Sequence, residues 1–299
     1  MNETPKRIVS GLIIAIVYGI FFSLNIYAYV FLFFFIIVVV LTVLNEFYFM
    51  FLSNKMDRVN VYIGRLCAVA VVSYFYFTSL ENFQIHNIVQ PDLFSSLISC
   101  LQDSSIDIPA ILLLFAIMAG IYNILSARIN GGIHSLGIIF FGIIYIPLSL
   151  SFIFLLRGMY YGIFYIWLIS WITVMTDIGG YAFGKMFGKH KLPLPVSPNK
   201  SWEGYAGAFF TQLITTILFN EIVKKYFATP DYSIARIIII SSLLFATAII
   251  GDLFESLVKR NAHAKDSGNL LPGHGGLLDR VDSIMFALPV FYYYLLFTN

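Results

Sequence analysis

Long apolar runs constrain the fold of this chain more than any other feature of its sequence. The 299 residues are 59% hydrophobic and 11% charged, whereas soluble domains carry about 25% charged residues. A helix that crosses a bilayer needs about 20 mainly apolar residues. The sequence contains nine such stretches: 8–24, 26–45, 60–80, 107–126, 133–156, 158–176, 204–222, 234–251 and 283–298. They predict an all-α polytopic membrane protein with these nine transmembrane helices. We treat 1–299 as one integral membrane domain, with N-terminal helices over 1–156 and the chemically rich region over 157–299.

Charge and cysteine content narrow the possible classes of protein further. The formal net charge of +2 gives no support for nucleic-acid binding. Cys67 lies inside an apolar run and Cys100 is the only other cysteine, so no disulfide framework is predicted. Arg7 precedes the first apolar run as in a signal peptide, but no small-residue cleavage site follows. The sequence therefore predicts a retained first helix.

The distribution of lysine and arginine predicts the orientation in the membrane. If the polar ends of nine spans alternate between the two faces, one face holds Arg157, Lys224, Lys225 and Arg236, and the other holds every remaining Lys and Arg. The positive-inside rule places the richer face in the cytoplasm. The polar segments 177–203 and 252–282 both fall on that face, and their own Lys and Arg residues account for part of the excess of cations there.

A polar stripe is predicted where the eighth span ends. Asp252, Glu255, Ser256 and Lys259 have the spacing i, i+3, i+4, i+7, which places them on one face of a helix. One interpretation is a helix end that emerges into water with solvated charges. The other is a functional site, because ionisable groups next to a bilayer are costly and usually have a role.

Two further acids open the ninth span. Asp279 and Asp282 are three residues apart, so their carboxylates share one helix face. Together with Asp252 they would suit Mg²⁺, which takes a few carboxylate oxygens and leaves positions for phosphate oxygens. The alternative is that both acids only stabilise the helix N-terminus. That alternative explains one acid better than two.

A glycine-rich turn precedes these acids. Gly273, Gly275 and Gly276 flank His274. Glycine lets the backbone approach a ligand and adopt positive φ, and exposed N–H groups of such a turn can bind phosphate. A plain tight turn between helices is the alternative. His274 is a candidate for phosphate contact or proton transfer, or is merely structural.

The second polar segment, 177–203, is interpreted as a loop after a span that ends at 176. Its cations at 185, 189 and 191 are typical of any cytoplasmic loop. An acid at the end of the span and the run Ser-Pro-Asn-Lys-Ser-Trp-Glu-Gly are not explained that way, and a basic, glycine-containing loop suits a triphosphate. The candidate nucleotide-binding residues of this segment are Asp177, Ser197, Lys200, Ser201 and Glu203.

These motifs resemble the phosphatidate cytidylyltransferase (CDP-diacylglycerol synthase) family. Residues 256–282 satisfy Ser-x-apolar-Lys-Arg, four residues, Lys-Asp-x-small, two residues, apolar-Pro-x-His-Gly-Gly-apolar-x-Asp-Arg-apolar-Asp. Segments 177–181 and 197–204 are similar to the family's Asp-x-Gly-x-Tyr and Ser-Pro-x-Lys-x-x-Glu-Gly elements. The departures are Gly180, where the family often has Ala, and Ser201, where it often has Thr. The resemblance covers about the C-terminal half of the chain.

The resemblance implies a reaction in which phosphatidic acid attacks the α-phosphorus of CTP, giving CDP-diacylglycerol and pyrophosphate in a bacterial inner membrane. It implies a Mg²⁺ cofactor, with a second cation left open, and it leaves homo-oligomerisation open. By the same resemblance, Asp252, Asp279 and Asp282 are metal ligands, and Gly275 and Gly276 contact the nucleotide. The implied phosphate-binding and catalytic residues are Lys259, Arg260, Lys265, Asp266, His274 and Arg280, with Asp266 orienting Lys265 or Arg260.

Three alternatives remain at this point. A CTP-dependent lipid-alcohol kinase would use the same nucleotide but transfer the γ-phosphate, which the complete signature argues against. A transporter would place ionisable groups near the midplane and show inverted repeats, whereas the charges here crowd one membrane face. A non-catalytic membrane partner would not need the intact acids.

Overall fold

The structure is a computed structural model that describes residues 26–52, 57–87, 107–126, 131–225, 229–268, 270 and 275–298. The predicted first span, 8–24, and His274 lie outside the described residues. Within the described ranges the regular structure is helical, and Lys191 and Ser201 form an isolated antiparallel β-bridge. Eight helical stretches of this part of the chain are long and apolar enough to cross a membrane. The all-α membrane fold is therefore confirmed.

The helices follow the predicted spans, with differences at their ends. They are α1 Ile26–Phe51, α2 Arg58–Asn87, α3 Ile108–Leu125, α4 Gly132–Ile143, α5 Ser149–Gly158, α6 Gly162–Phe187, α7 Trp202–Val223, α8 Ile234–Asn261 and α9 Leu278–Thr298. A π-helical turn, Ile144–Leu148, joins α4 to α5 and contains Pro147. Proline lacks the N–H that an α-helix needs at that place, and a π turn accommodates the interruption within one membrane span.

Two compact units make up the chain. The first contains Met1–Tyr160 and Asp266–Asp279, and the second contains Tyr161–Lys265 and Arg280–Asn299. We use the terms first unit and second unit for these two sets of residues.

Aromatic packing and interhelical hydrogen bonds hold the first unit together. Tyr29 of α1 stacks on Tyr76 of α2 with ring centroids 5.2 Å apart, and its hydroxyl hydrogen-bonds Ser79. Asn60 and Asn123 exchange side-chain hydrogen bonds at 3.2 Å. Such bonds join helices where lipid offers no hydrogen-bonding partner. Asp107, the residue before α3, caps this helix by accepting from the N–H of Ala110 at 3.0 Å.

Helix α6 corrects the prediction of a loop over 177–203, because the helix runs on to Phe187 and carries Asp177 in its interior. Small residues explain the extension. A Cβ added at Gly179 would lie 2.9 Å from the Cα of Ala208 in α7, and one added at Gly204 would lie 3.3 Å from the carbonyl oxygen of Gly180. These glycines let α6 and α7 pack backbone to backbone, as small residues do in membrane proteins. Glycine at these positions therefore indicates helix packing rather than loop.

Candidate active site

The polar stripe predicted on α8 is present in the second unit. Glu255 is buried, with 1% of its surface exposed, and its carboxylate pairs with the Lys259 ammonium at 2.5 Å. Asp252 lies one turn earlier on the same helix and is half-buried. A charged pair this deeply buried is costly unless it has a partner or a function. The interpretation of a solvated helix end therefore does not fit Glu255.

Helices α8 and α9 meet next to these acids. A Cβ added at Gly251 would lie 2.7 Å from the carbonyl oxygen of Asp282 and 3.0 Å from the Cα of Ser283. The Ser283 hydroxyl donates to the carbonyl of Ala248 at 3.2 Å. Only glycine permits so close an approach. The crossing brings the backbone at Asp282 next to the residue before Asp252, so the packing that the sequence-based metal site requires of the last two spans is present.

Asp282 is held in a fixed rotamer at this crossing. It is 8% exposed, and one carboxylate oxygen accepts from the N–H of Ser283 at 2.7 Å. A buried acid whose side chain is anchored to its own backbone is pre-organised to receive a cation or a hydrogen-bond donor.

Lys200 forms an ion pair with Asp252. Its ammonium also lies 5.5 Å from the centre of the Tyr205 ring, within cation–π range. Burial lowers the pKa of Lys200 below the ordinary lysine value, because the charged form loses hydration, and the negative charges of Asp177, Asp282 and Glu255 partly oppose this effect. The structure therefore brings the predicted nucleotide-side lysine to the predicted metal acid.

A pocket of about 450 Å³ opens beside this ion pair, entirely within the second unit. That volume lies in the range of small-molecule sites, roughly 300–1,000 Å³. Its polar lining includes Asp177, Lys191, Asn199, Lys200, Tyr205 and Asp252. Acids and cations line one concave surface, which is the arrangement that a metal-bound polyphosphate needs.

The segment between α6 and α7 is closed by backbone hydrogen bonds. The N–H of Leu192 donates to the carbonyl of Lys200 at 2.9 Å, and the N–H of Trp202 donates to the carbonyl of His190 at 3.0 Å. The N–H of Lys200 donates to the carbonyl of Ser197 at 3.3 Å, which forms a turn. Ser197 therefore positions Lys200 through the backbone.

Two residues predicted to bind nucleotide also have structural roles here. Ser201 is buried and caps α7 by accepting from the N–H of Gly204 at 3.2 Å. Glu203 accepts from the backbone N–H of His190 at 3.1 Å and contacts the His190 ring nitrogen Nδ1 at 2.5 Å. Both residues therefore shape the segment that carries Lys200, and their contact with a nucleotide stays a prediction.

The remaining predicted cations lie at the surface. Arg260, Lys265 and Arg280 are exposed, and one Arg260 nitrogen approaches the carbonyl of Ala264 at 3.5 Å. Asp266 of the first unit is exposed as well. Long exposed cations remain able to reorient toward a phosphate, and their catalytic roles stay predictions.

The glycine-rich turn belongs to the first unit, and the N–H of Gly276 already has an acceptor. Gly275 has a φ of 80°, which requires glycine. One Asp279 oxygen accepts from the N–H of Gly276 at 2.8 Å and from the Ser267 hydroxyl at 3.0 Å. Glu46 of α1 accepts from the N–H of Leu278 at 2.8 Å. The prediction that Gly275 and Gly276 contact phosphate is not tested by these bonds.

The sequence alone assigned no role to two acids, Glu255 and Glu46. Glu255 is part of the predicted stripe and lies four residues before Lys259, a spacing that allows an ion pair, but the spacing gives no sign of its burial. Glu46 is an isolated acid at the end of an apolar run, and its partners are more than 200 residues away. Among the described residues, no group of three or more His, Cys, Asp or Glu side chains is placed to hold a metal ion.

The chain matches a family model over nearly its whole length and curated relatives over a little under half of it. The family model described as the cytidylyltransferase family matches residues 5–298. A phosphatidate cytidylyltransferase of Haemophilus influenzae is 41% identical over 141 residues, which is 46% of this chain and 48% of that protein. A protein of the same name from Staphylococcus aureus strain COL is 44% identical over 134 residues, which is 45% of this chain and 48% of that protein. Another from Staphylococcus haemolyticus is 43% identical over 133 residues, which is 44% of this chain and 48% of that protein. The chain thus covers about half the length of the curated relatives it matches.

Proposed function

We propose a phosphatidate cytidylyltransferase activity, starting from the fact that the chain belongs to the cytidylyltransferase family. The observation that carries the proposal is the pocket of the second unit, where Lys200 and Asp252 are paired at the mouth of a concave, charge-lined surface. The relatives named above supply the substrate class. The eight helices of the described residues that are long and apolar enough to cross a membrane supply the setting in which a lipid substrate is presented.

The reaction forms one bond and breaks one. A phosphate oxygen of phosphatidic acid attacks the α-phosphorus of CTP, the bond from that phosphorus to the bridging oxygen breaks, and pyrophosphate leaves with the electron pair. The nucleophile is already anionic at neutral pH, so the main obstacle is the approach of two polyanions. Fixed positive charge lowers that barrier, as in other phosphoryl-group chemistry.

Lys200 is the cation best placed for this role. In the structure it neutralises Asp252, and a triphosphate entering the pocket offers a stronger set of acceptors. Lys200 can then exchange the carboxylate for a phosphate oxygen without leaving the turn that Ser197 closes. The Tyr205 ring beside it gives an apolar wall against which the ammonium or a base can lie.

Asp252 and Asp282 fit a hard divalent cation by their chemistry, since both offer carboxylate oxygens at one helix crossing. Bound Mg²⁺ would polarise the phosphate oxygens and stabilise the charge on the leaving pyrophosphate. The Asp282 carboxylate is oriented by the Ser283 N–H, and Glu255 keeps Lys259 on the same face of α8. That Asp279 is a third ligand of the metal ion stays a prediction from the sequence.

Labelled nucleotide distinguishes this activity from its alternatives. Purified full-length protein is incubated with phosphatidic acid, Mg²⁺ and CTP labelled either at the α-phosphate or at the γ-phosphate. We expect the α label to enter the lipid, the γ label to leave as pyrophosphate, and one pyrophosphate to appear per lipid modified. Transfer of the γ label to lipid would mean a kinase. Substrate uptake into vesicles without CTP turnover would mean a transporter.

The orientation is part of the proposal. We infer that the pocket faces the cytoplasm of a bacterial inner membrane, because most cations fall on that face when the spans alternate. Single cysteines introduced at 188–200 should react only with a cytoplasmic reagent, and cysteines at 85–100 only with an external one. Labelling of 188–200 from outside would overturn the orientation.

A further inference from the structure

The carboxylate of Glu46 sits against the glycine-rich turn of the first unit. Its oxygens accept from the N–H of Leu277 at 2.9 Å, from the N–H of Leu278 at 2.8 Å and from the Ser267 hydroxyl at 3.2 Å. These N–H groups open α9, where a helix leaves its first donors without intrahelical partners. Glu46 thus caps α9 from a helix near the other end of the sequence, and an anion is favoured at that end of the helix dipole.

The turn is shaped around this carboxylate. A Cβ added at Gly276 would lie 2.6 Å from one Glu46 oxygen and 2.0 Å from the Ser267 hydroxyl oxygen. A Cβ added at Gly268 would lie 3.0 Å from the other Glu46 oxygen. Gly276 therefore leaves no room for a side chain, and a side chain at Gly268 would push the Glu46 carboxylate out of position.

A second carboxylate closes the opposite side of the same turn. Asp279 accepts from the N–H of Gly276 at 2.8 Å and from the N–H of Ser267 at 3.2 Å. The Ser267 hydroxyl lies within hydrogen-bond distance of both Glu46 and Asp279. The hydroxyl has one proton and donates it to one carboxylate at a time or shares it between them, while the Ser267 N–H donates to Asp279. Ser267 therefore links the position of the Asp279 carboxylate to that of Glu46. Charge-assisted bonds of this type are about twice as strong as neutral ones.

We propose that Glu46 is a positioning residue for the reaction. It fixes the glycine-rich turn and the start of α9, and through Ser267 it holds Asp279 in place. The inference rests on the proposed function, because it assigns the turn and Asp279 to the binding of the metal–nucleotide substrate. Its consequence is that the N-terminal half of the chain, which carries none of the signature motifs, contributes to catalysis through one side chain.

The test compares Glu46→Gln with Glu46→Asp and with Glu221→Gln, an exposed acid of α7 that serves as the control. Glutamine keeps the shape but presents an amide donor to N–H donors, so two backbone groups lose their anionic acceptor. We expect kcat/KM for CTP to fall about tenfold or more in Glu46→Gln. We expect KM for phosphatidic acid and the melting temperature to change little, partial recovery in Glu46→Asp, and no change in Glu221→Gln.

Hydrogen exchange supplies a readout that does not depend on activity. The amides of residues 276–278 should exchange about tenfold faster in Glu46→Gln than in wild type, while amides of α7 keep their rates. Ser267→Ala provides a milder variant, in which a smaller change in the same direction is expected. Wild-type exchange and wild-type kinetics in both Glu46→Gln and Ser267→Ala would overturn the proposal. Faster exchange in a protein whose wild type makes no CDP-lipid would instead refute the proposed function and leave the structural role of Glu46 standing.

Discussion

The pocket of the second unit and the glycine-rich turn of the first unit both use carboxylates, but their oxygens accept from different donors. In the pocket, Asp252 pairs with the side-chain ammonium group of Lys200, and on the same helix Glu255 pairs with that of Lys259. In the turn, Glu46 and Asp279 accept from backbone N–H groups and from a serine hydroxyl. Side-chain cations can exchange one anion for another, whereas backbone donors are fixed by the fold. On the proposed function, we therefore expect Lys200 to exchange its carboxylate partner for a phosphate when the nucleotide binds, and the turn to keep its hydrogen bonds.

The largest expected effect tests whether Asp252, which lines the pocket, and Asp282, at the crossing of α8 and α9, have a chemical role. We call these two residues the pocket acids. Asp252→Asn and Asp282→Asn should each reduce kcat/KM by about a hundredfold or more, because each removes a negative charge that would hold Mg²⁺. Folding should be preserved, since asparagine keeps the shape of aspartate. Turnover as a function of Mg²⁺ concentration and thermal unfolding in detergent measure the two properties separately.

Lys189→Gln is the matched control, since Lys189 is an exposed lysine of the segment between α6 and α7 that also carries Lys200. It should keep wild-type turnover. Near wild-type rates with unchanged Mg²⁺ dependence in both asparagine variants would show that the pocket acids are structural, and the contrast between the two regions would disappear.

The next effect concerns Lys200, whose role as an exchangeable cation depends on its charge. Removing the charge with Lys200→Met should cost about 2–3 kcal/mol of transition-state stabilisation, or roughly a hundredfold in kcat/KM for CTP. Burial lowers the pKa of Lys200, so the ammonium is lost at a lower pH than in an ordinary lysine. Wild-type kcat/KM should therefore fall as pH rises through this lowered pKa.

Lys200→Arg tests the sign of that pH effect. A guanidinium stays protonated throughout the accessible range, so the alkaline fall should move to higher pH in this variant. Rate–pH profiles of wild type, Lys200→Arg and Lys189→Arg measure it, the last serving as an exposed control. An unchanged alkaline fall in Lys200→Arg would mean that another group titrates.

The position of the spans could be predicted from the sequence because about 20 apolar residues in a row leave little choice of structure. The ends of the spans were harder to predict. Asp177 and the glycines after it are typical of a loop by composition, but the same glycines pack α6 against α7, and tertiary contact decided the outcome. A sequence does not show which glycines face a neighbouring helix.

The residues of the candidate site also fall into those that local sequence predicts and those that only tertiary contacts reveal. Asp252, Lys259 and Asp282 were identified from local spacing and from the family resemblance, because ligands on one helix face follow a short period. Glu46 has no such signal. Its partners are separated from it by more than 200 residues, and a single acid at the end of a span is typical of any helix that leaves the membrane. Only the folded structure reveals that its oxygens meet the start of α9.

A third prediction concerns the backbone contact that positions the pocket acids. Gly251→Ala should destabilise the protein by about 1–3 kcal/mol, because the added methyl group would lie 2.7 Å from the carbonyl oxygen of Asp282 and helices rarely accept such overpacking. Gly137→Ala is the control, since a Cβ there meets nothing within 4 Å. Alanine at that helical position should be neutral or stabilising. Equal unfolding temperatures for the two variants would show that the crossing of α8 and α9 can relax.

The smallest expected effect on kcat/KM is that of Glu203, whose carboxylate, like that of Glu46, accepts from a backbone N–H. Glu203 contacts His190 through the backbone N–H and through Nδ1 at 2.5 Å, but the His190 side chain is 81% exposed. Exposed ion pairs contribute less than about 1 kcal/mol. Glu203→Gln should therefore lower kcat/KM for CTP by less than about fivefold, in contrast to the tenfold loss expected for Glu46→Gln.

A double-mutant cycle with His190→Ala measures whether the Glu203 effect passes through His190. If it does, the double variant should lose no more activity than Glu203→Gln alone. A loss at Glu203 as large as that at Glu46, and independent of His190, would indicate direct contact between Glu203 and the nucleotide. The nucleotide-binding surface would then include the first turn of α7 as well as the pocket.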